Sequence, residues 1–185
     1  MPLTVYSIQV DCLTKIMSNL RTLPQISKIV YHGTDARFDR FDETKKGTNT
    51  GFPNTIHGFF FTEKKENAAL FGKRIIKAQI VIEKAIDLTI EGIFSEKKQA
   101  SLIWEILTGE VLSEEDALTQ LDENISLGEL DELYDALDTE ESNRALKEAG
   151  YNGIISSLGN DELEYIVFRD CKINCVKDNK QKYYF

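Results

Sequence analysis

Apolar positions near the start of the chain recur at helical spacing. Cys12, Leu13, Ile16, Met17 and Leu20 would share one face of a helix from about Asp11 to Leu23, which Pro24 ends. The pattern then changes to short strand-like runs. Ile29-Val30-Tyr31 reads as a buried strand that opens into a loop at His32 and Gly33. The polar stretch from Asp35 to Thr55, rich in Gly, Asn and Thr, is expected to be a mobile loop between strands that need each other for a core. Gly58 to Thr62 is apolar, aromatic and strand-like, and Thr62 offers an N-cap for a helix from Glu63 to Phe71 that Gly72 stops. Ile76, Ala78, Ile80 and Ile82 alternate with Lys77, Gln79, Val81 and Glu83, as in a strand with one more apolar face.

From Ser95 the period lengthens. Leu102, Ile103, Ile106 and Leu107, then Ala117, Leu118 and Leu121, then Leu130, Leu133, Tyr134 and Leu137 predict helices in three or four pieces. Ser113 before Asp116, and Thr139 before Ser142 and Asn143, suggest two of the helix starts. Strands resume at Gly153–Ser156, Tyr165–Phe168 and Lys172–Val176. With no internal repeat, the pattern predicts one α+β domain over residues 1–185, with a helical insert over 95–150.

Composition narrows the classes. A chain of 185 residues with 42% hydrophobic positions suits one globular domain. Its longest apolar runs are far too short to span a membrane, and Met1-Pro2-Leu3-Thr4-Val5 has no secretory pattern. Cys12, Cys171 and Cys175 lack zinc-type spacing. On a shared strand Cys171 and Cys175 would stand about 13 Å apart, too far for a disulfide. Reduced thiols in the cytoplasm are the expectation. The net charge of −9 is concentrated: residues 95–150 hold 16 acidic and 4 basic side chains, a balance of −12, whereas the remainder stands at +3. The body therefore tolerates an anionic ligand such as a diphosphate, and the insert repels a long nucleic acid.

Three separated segments carry candidate chemistry. A histidine like His32 at a strand end is usually a hydrogen-bonded structural residue, but Gly33 beside it lets a ligand lie on the backbone. His57 also precedes a glycine and reads as structural. Gly58-Phe59-Phe60-Phe61-Thr62 alone reads as a core strand, and Phe71 follows Phe60 by eleven residues. Glu164 opens the apolar run Tyr165-Ile166-Val167-Phe168, where an acid alone reads as a solvated strand end. Ser156 and Ser157 read as ordinary strand and loop residues.

In order and spacing these segments resemble the ADP-ribosyltransferases of the diphtheria-toxin and poly(ADP-ribose) polymerase branch. Glu164-Tyr165-Ile166-Val167 resembles that branch's glutamate strand, and Ala149-Gly150-Tyr151-Asn152-Gly153-Ile154-Ile155 the lead-in of bacterial or phage-type members. The resemblance covers roughly residues 29–90 and 150–176 and implies a split β-sheet core, with the acidic insert added. It implies NAD as substrate and no metal. His32 would bind the adenosine ribose and Gly33 the nicotinamide carboxamide, with the Thr34 hydroxyl nearby. Phe60 and Phe71 would sandwich the nicotinamide ring where the family usually has tyrosines, which keeps the stacking and loses any phenolic hydrogen bond. Glu164 would stabilise the ribose cation. Glu162 forms a Glu-x-Glu spacing that accompanies arginine acceptors elsewhere in the superfamily, and otherwise reads as a surface charge. The activity implied is transfer of one ADP-ribose from NAD to a macromolecule, a protein before a nucleic acid, with release of nicotinamide. An NAD glycohydrolase, or an inactive fold used for binding, are the alternatives. Small members of this kind are often toxins or host-modifying effectors, so an antitoxin or host protein is a further expected partner, with the insert as a candidate contact surface.

Overall fold

The computed structural model describes residues 25–47 and 53–176. The helix predicted from Asp11 to Leu23, with Cys12, lies outside them. Seven strands make one mixed sheet: β1 (Ile26–Thr34), β2 (Phe59–Thr62), β3 (Arg74–Ile82), β4 (Ala85–Asp87), β5 (Gly153–Gly159), β6 (Glu162–Val167) and β7 (Ile173–Cys175). Their order is β4-β5-β6-β2-β1-β3-β7, antiparallel throughout except between β4 and β5. Among the described residues six helices accompany them: α1 (Lys65–Ala68), α2 (Ile90–Ser95), α3 (Lys97–Thr108), α4 (Glu114–Asn124), α5 (Leu130–Leu137) and α6 (Glu140–Glu148). The class is α+β, as the hydrophobic pattern predicts.

The sheet is split at its centre. β1 pairs with β3 along its whole length, from Ile26↔Ile82 to Thr34↔Arg74, yet meets β2 in register only at Tyr31↔Thr62. Pleat alternation then builds a core on each face. On one side Ile154 and Ile166 pack with Ile103, Trp104, Leu121, Leu133 and Leu146 of the helices. On the other, Val30, Phe61, Tyr165 and Val167 pack with Ile80 and with Phe41 from the loop after β1. Each fully buried Leu, Ile or Phe contributes about 1.5–3 kcal/mol, so both halves rest on several such side chains.

The insert forms as expected. Ser113 accepts from the Asp116 amide at 3.1 Å and Thr139 from the Ser142 amide at 3.1 Å, capping α4 and α6. Elsewhere the structure departs from the pattern. β1 runs three residues past Tyr31, so His32 and Gly33 lie inside it. The predicted Glu63–Phe71 helix is a single turn, α1, because Thr62 is held in β2 opposite Glu164 and its hydroxyl donates to the Lys64 carbonyl at 2.9 Å instead of capping. Phe71 therefore sits past the helix, in a turn closed by its amide on the Ala68 carbonyl at 3.1 Å. Within residues 35–56 the described parts carry two 3-10 turns, Glu43–Lys45 and Pro53–Ile56. Phe41, only 6% exposed, anchors the first part to the core. Cys171 lies in a 3-10 turn rather than on a strand with Cys175, and both are free thiols. Among the described residues no helix is long and apolar enough to cross a membrane.

Candidate active site

The parting of β1 from β2 leaves a cleft of about 810 Å³. His32 and Gly33 of β1, Phe60 of β2, Phe71 beyond α1 and Glu164 of β6 all line it. Thr34 and Glu162 are outside its lining. The loop after β1 closes one wall with Phe38, Phe41, Arg37, Arg40, Lys45 and Lys46. That volume is in the range of small-molecule sites.

Register explains how these residues meet. Tyr31, Thr62 and Glu164 stand opposite one another across three strands, so their side chains share a face. His32, the next residue along β1, points to the other face. There it meets Phe41 edge-on at 5.1 Å and Phe61 at 5.6 Å. Both faces reach one cavity because the sheet is open between them.

His32 spans the split. Its Nδ1 lies 2.8 Å from the carbonyl oxygen of Phe60. A carbonyl only accepts, so Nδ1 carries the proton and Nε2 presents a lone pair. Burial lowers the imidazole pKa below its ordinary value, an effect the Phe60 carbonyl partly offsets, so the ring is neutral at pH 7. A neutral ring with a free Nε2 is an acceptor suited to a hydroxyl.

Glu164 is the third residue of β6, not its first, and is 9% exposed. Burial pushes its carboxyl pKa up to about 7, against a weaker pull from the Ser156 hydroxyl, which donates to Oε2 at 3.3 Å. Ser156 is thus more than the ordinary strand residue its sequence context suggests.

Phe60 is half-buried, its ring also packing against the helical core, whereas Phe71 is 43% exposed. At Gly33 the close neighbour is protein: a Cβ there would stand 1.7 Å from the Ala68 carbonyl oxygen, so the glycine lets α1 lie on β1. Gly72 repeats this against the Thr34 backbone, where a Cβ would come within 2.3 Å. The two contacts hold the turn that presents Phe71. Thr34 is buried and its hydroxyl accepts from the Ala36 amide at 3.1 Å. Glu162 pairs with Lys64 and Asn67, both on the α1 side.

His57 is structural, as its position suggests. It is fully buried, with Nε2 3.2 Å from Asp138 and Nδ1 2.9 Å from the Asn143 amide nitrogen, and it stacks on Phe168. Asp138 and Asn143 belong to the insert, whereas Phe168 follows β6.

Phe38, Phe41, Ser156 and the loop cations were not singled out from the sequence. Paired aromatics three residues apart in a polar loop were the available signal for the first two. Ser156 gives none until its cross-strand partner is known. Among the described residues no group of three or more His, Cys, Asp or Glu side chains could hold a metal.

A family model described as "ADP-Ribosyltransferase in polyvalent proteins" matches residues 26–183. No curated protein matches the chain. A solved structure titled "Crystal structure of an anti-CRISPR protein" aligns with 82% of this chain and 96% of its own, at 14% identity and a TM-score of 0.44.

Proposed function

This chain belongs to the ADP-ribosyltransferase family found in polyvalent proteins, and from that premise we propose that it transfers a single ADP-ribose from NAD to a macromolecular acceptor. The observation that carries the proposal is the convergence of His32, Gly33, Phe60, Phe71 and Glu164, from four separate segments, on one cleft.

In this scheme NAD lies across the split. The neutral His32 accepts a hydrogen bond from the adenosine ribose through Nε2, and the Gly33 backbone holds the nicotinamide carboxamide. Phe60 and Phe71 flank the nicotinamide ring, each worth about 0.5–2 kcal/mol toward a cationic ring. Arg37, Arg40, Lys45 and Lys46, which line the wall, are set to oppose the diphosphate charge. The bond from nicotinamide nitrogen to ribose C1′ breaks with its electron pair staying on nitrogen, so nicotinamide departs neutral and the ribose carries the positive charge. Ionised Glu164 accepts from the ribose 2′-hydroxyl and stabilises that charge. The acceptor nucleophile bonds to C1′ and gives up a proton. A preorganised group of this kind is worth roughly 10²–10³ in rate. Glu162 lies two residues from Glu164 on the same strand face, at the edge where an acceptor would approach, and an acceptor-contacting role for it belongs to the same scheme. The acidic insert favours a protein acceptor over a long nucleic acid.

The test is incubation with NAD labelled in the adenylate and with cell extract, comparing wild type with Glu164→Ala. Labelled macromolecule and free nicotinamide from the wild type alone support transfer. Nicotinamide without labelled macromolecule would make the protein a glycohydrolase, and silence from both proteins across extracts would overturn the proposal.

A further inference from the structure

Two hydroxyl side chains flank Glu164 in register. Thr62 stands opposite it on β2, and Ser156 opposite it on β5. They are not equivalent. The Thr62 hydroxyl donates to the Lys64 carbonyl at 2.9 Å, which holds the turn into α1. The Ser156 hydroxyl donates to Oε2 of Glu164 at 3.3 Å, the one hydrogen bond to that carboxylate among the described residues. Just beyond, a β-bulge between Ser157 and Gly159 interrupts the β5–β6 register, and Leu158 joins the cleft lining. Bulges re-aim side chains beside functional sites. Leu158 and Glu164 thus line the same cleft, and the acid keeps a single polar anchor among the described residues.

We infer that Ser156 is the positioning residue of the site: it anchors Oε2 of Glu164, fixing the carboxylate so that its other oxygen is left to the ribose 2′-hydroxyl. This rests on the function proposed above. Cross-strand neighbours sit about 4.5–5.5 Å apart at Cβ, so a short serine side chain reaches the acid without reaching the ligand. Of the other charged or titratable groups on the neighbouring strands and the cleft wall, four have partners of their own, while Arg37, Asp39, Arg40, Asp42 and Lys45 line the loop side of the cleft. Glu162, two residues along the same strand face, is held by Lys64 and Asn67. Tyr31, across Thr62, lies under the Lys65 ammonium at 5.5 Å. His32 is bonded to Phe60, and Lys46 on the loop wall donates to the Phe168 carbonyl. The hydroxyl favours the ionised form, as a donor to a carboxylate must.

The experiment compares Ser156→Thr with Ser156→Val, two isosteres that differ in the hydroxyl, by nicotinamide release across pH 5–9. The valine variant is expected to lose roughly five- to tenfold in kcat, with KM for NAD unchanged within about twofold, and its acid limb should move up by about half a pH unit. Threonine should restore both. Equal kcat and pH profiles for the two variants would overturn the inference, as would a loss expressed only in KM. Carbon-13 NMR titration of the Glu164 carboxyl supplies a readout independent of turnover: valine should raise its midpoint relative to threonine, and an unmoved midpoint refutes the anchoring. If the wild type releases no nicotinamide while the midpoint still moves, the function proposal fails and the anchoring stands.

Discussion

Glu164 is buried and His32 half-buried, both are titratable, and desolvation displaces their pKa values in opposite directions, toward the neutral form of each. The consequence for turnover has one sign. In the proposed scheme Glu164 accepts from a sugar hydroxyl only when ionised, so kcat/KM should rise with pH through an apparent pKa near the value of about 7 that burial imposes. A profile of nicotinamide release against pH checks this, and a flat profile from pH 5 to 8 would contradict it. Stability should run the other way. Between its ordinary 4.5 and about 7 the folded state holds a proton that the unfolded chain has released, so ionising Glu164 weakens the fold as pH rises through that window. Glu164→Gln should therefore inactivate the protein and yet stabilise it at pH 8, by up to about 3 kcal/mol, with little gain at pH 4. Urea titrations at the two pH values measure the difference.

At the scale of elements the site depends on how α1 is seated. Gly33 and Gly72 bring α1 and its following turn against the end of β1 with no room for a Cβ. Gly33→Ala should cost about 1–3 kcal/mol through overpacking and should displace the turn that carries Phe71. Denaturant unfolding reads the first effect and a raised KM for NAD the second. Much of this was legible in the sequence. The His-Gly step, the aromatic strand, the eleven-residue step to Phe71 and the glutamate strand all fall on the cleft, and Ser113 and Thr139 cap helices where the pattern places them. What was missed has a physical source. A threonine followed by a polar run looks like an N-cap, but cross-strand pairing with Glu164 claims Thr62 for β2, and no local pattern encodes that pairing. β4 has three residues, too few to show a period, and it owes its place to parallel pairing with β5. Ser156 likewise has meaning only through its partner on the next strand.

Across the whole molecule the acidic insert is joined to the body through a buried histidine. His57 lies two residues before β2, and Asp138 and Asn143 of the insert hold its two ring nitrogens. Removing it takes that partner from the buried Asn143 amide, a cost of about 1–3 kcal/mol. His57→Ala and Asp138→Ala should be non-additive, because each removes the same contact; a double-mutant cycle on unfolding free energies should give a coupling of at least about 0.5 kcal/mol. Additive losses would mean that the junction rests on packing alone. The N-terminal segment gave a clear helical pattern and the insert a clear charge pattern, but neither pattern says which body residue an insert would grip, since His57 lies 81 positions from Asp138.

Phe60 belongs to two neighbourhoods at once. One part of its ring rests on the helical core and another lines the cleft. A side chain shared in this way makes thermodynamic reciprocity concrete: under the proposed function, a partner of the helices that changes dinucleotide affinity by some factor must find its own affinity changed by the same factor when the cleft is filled.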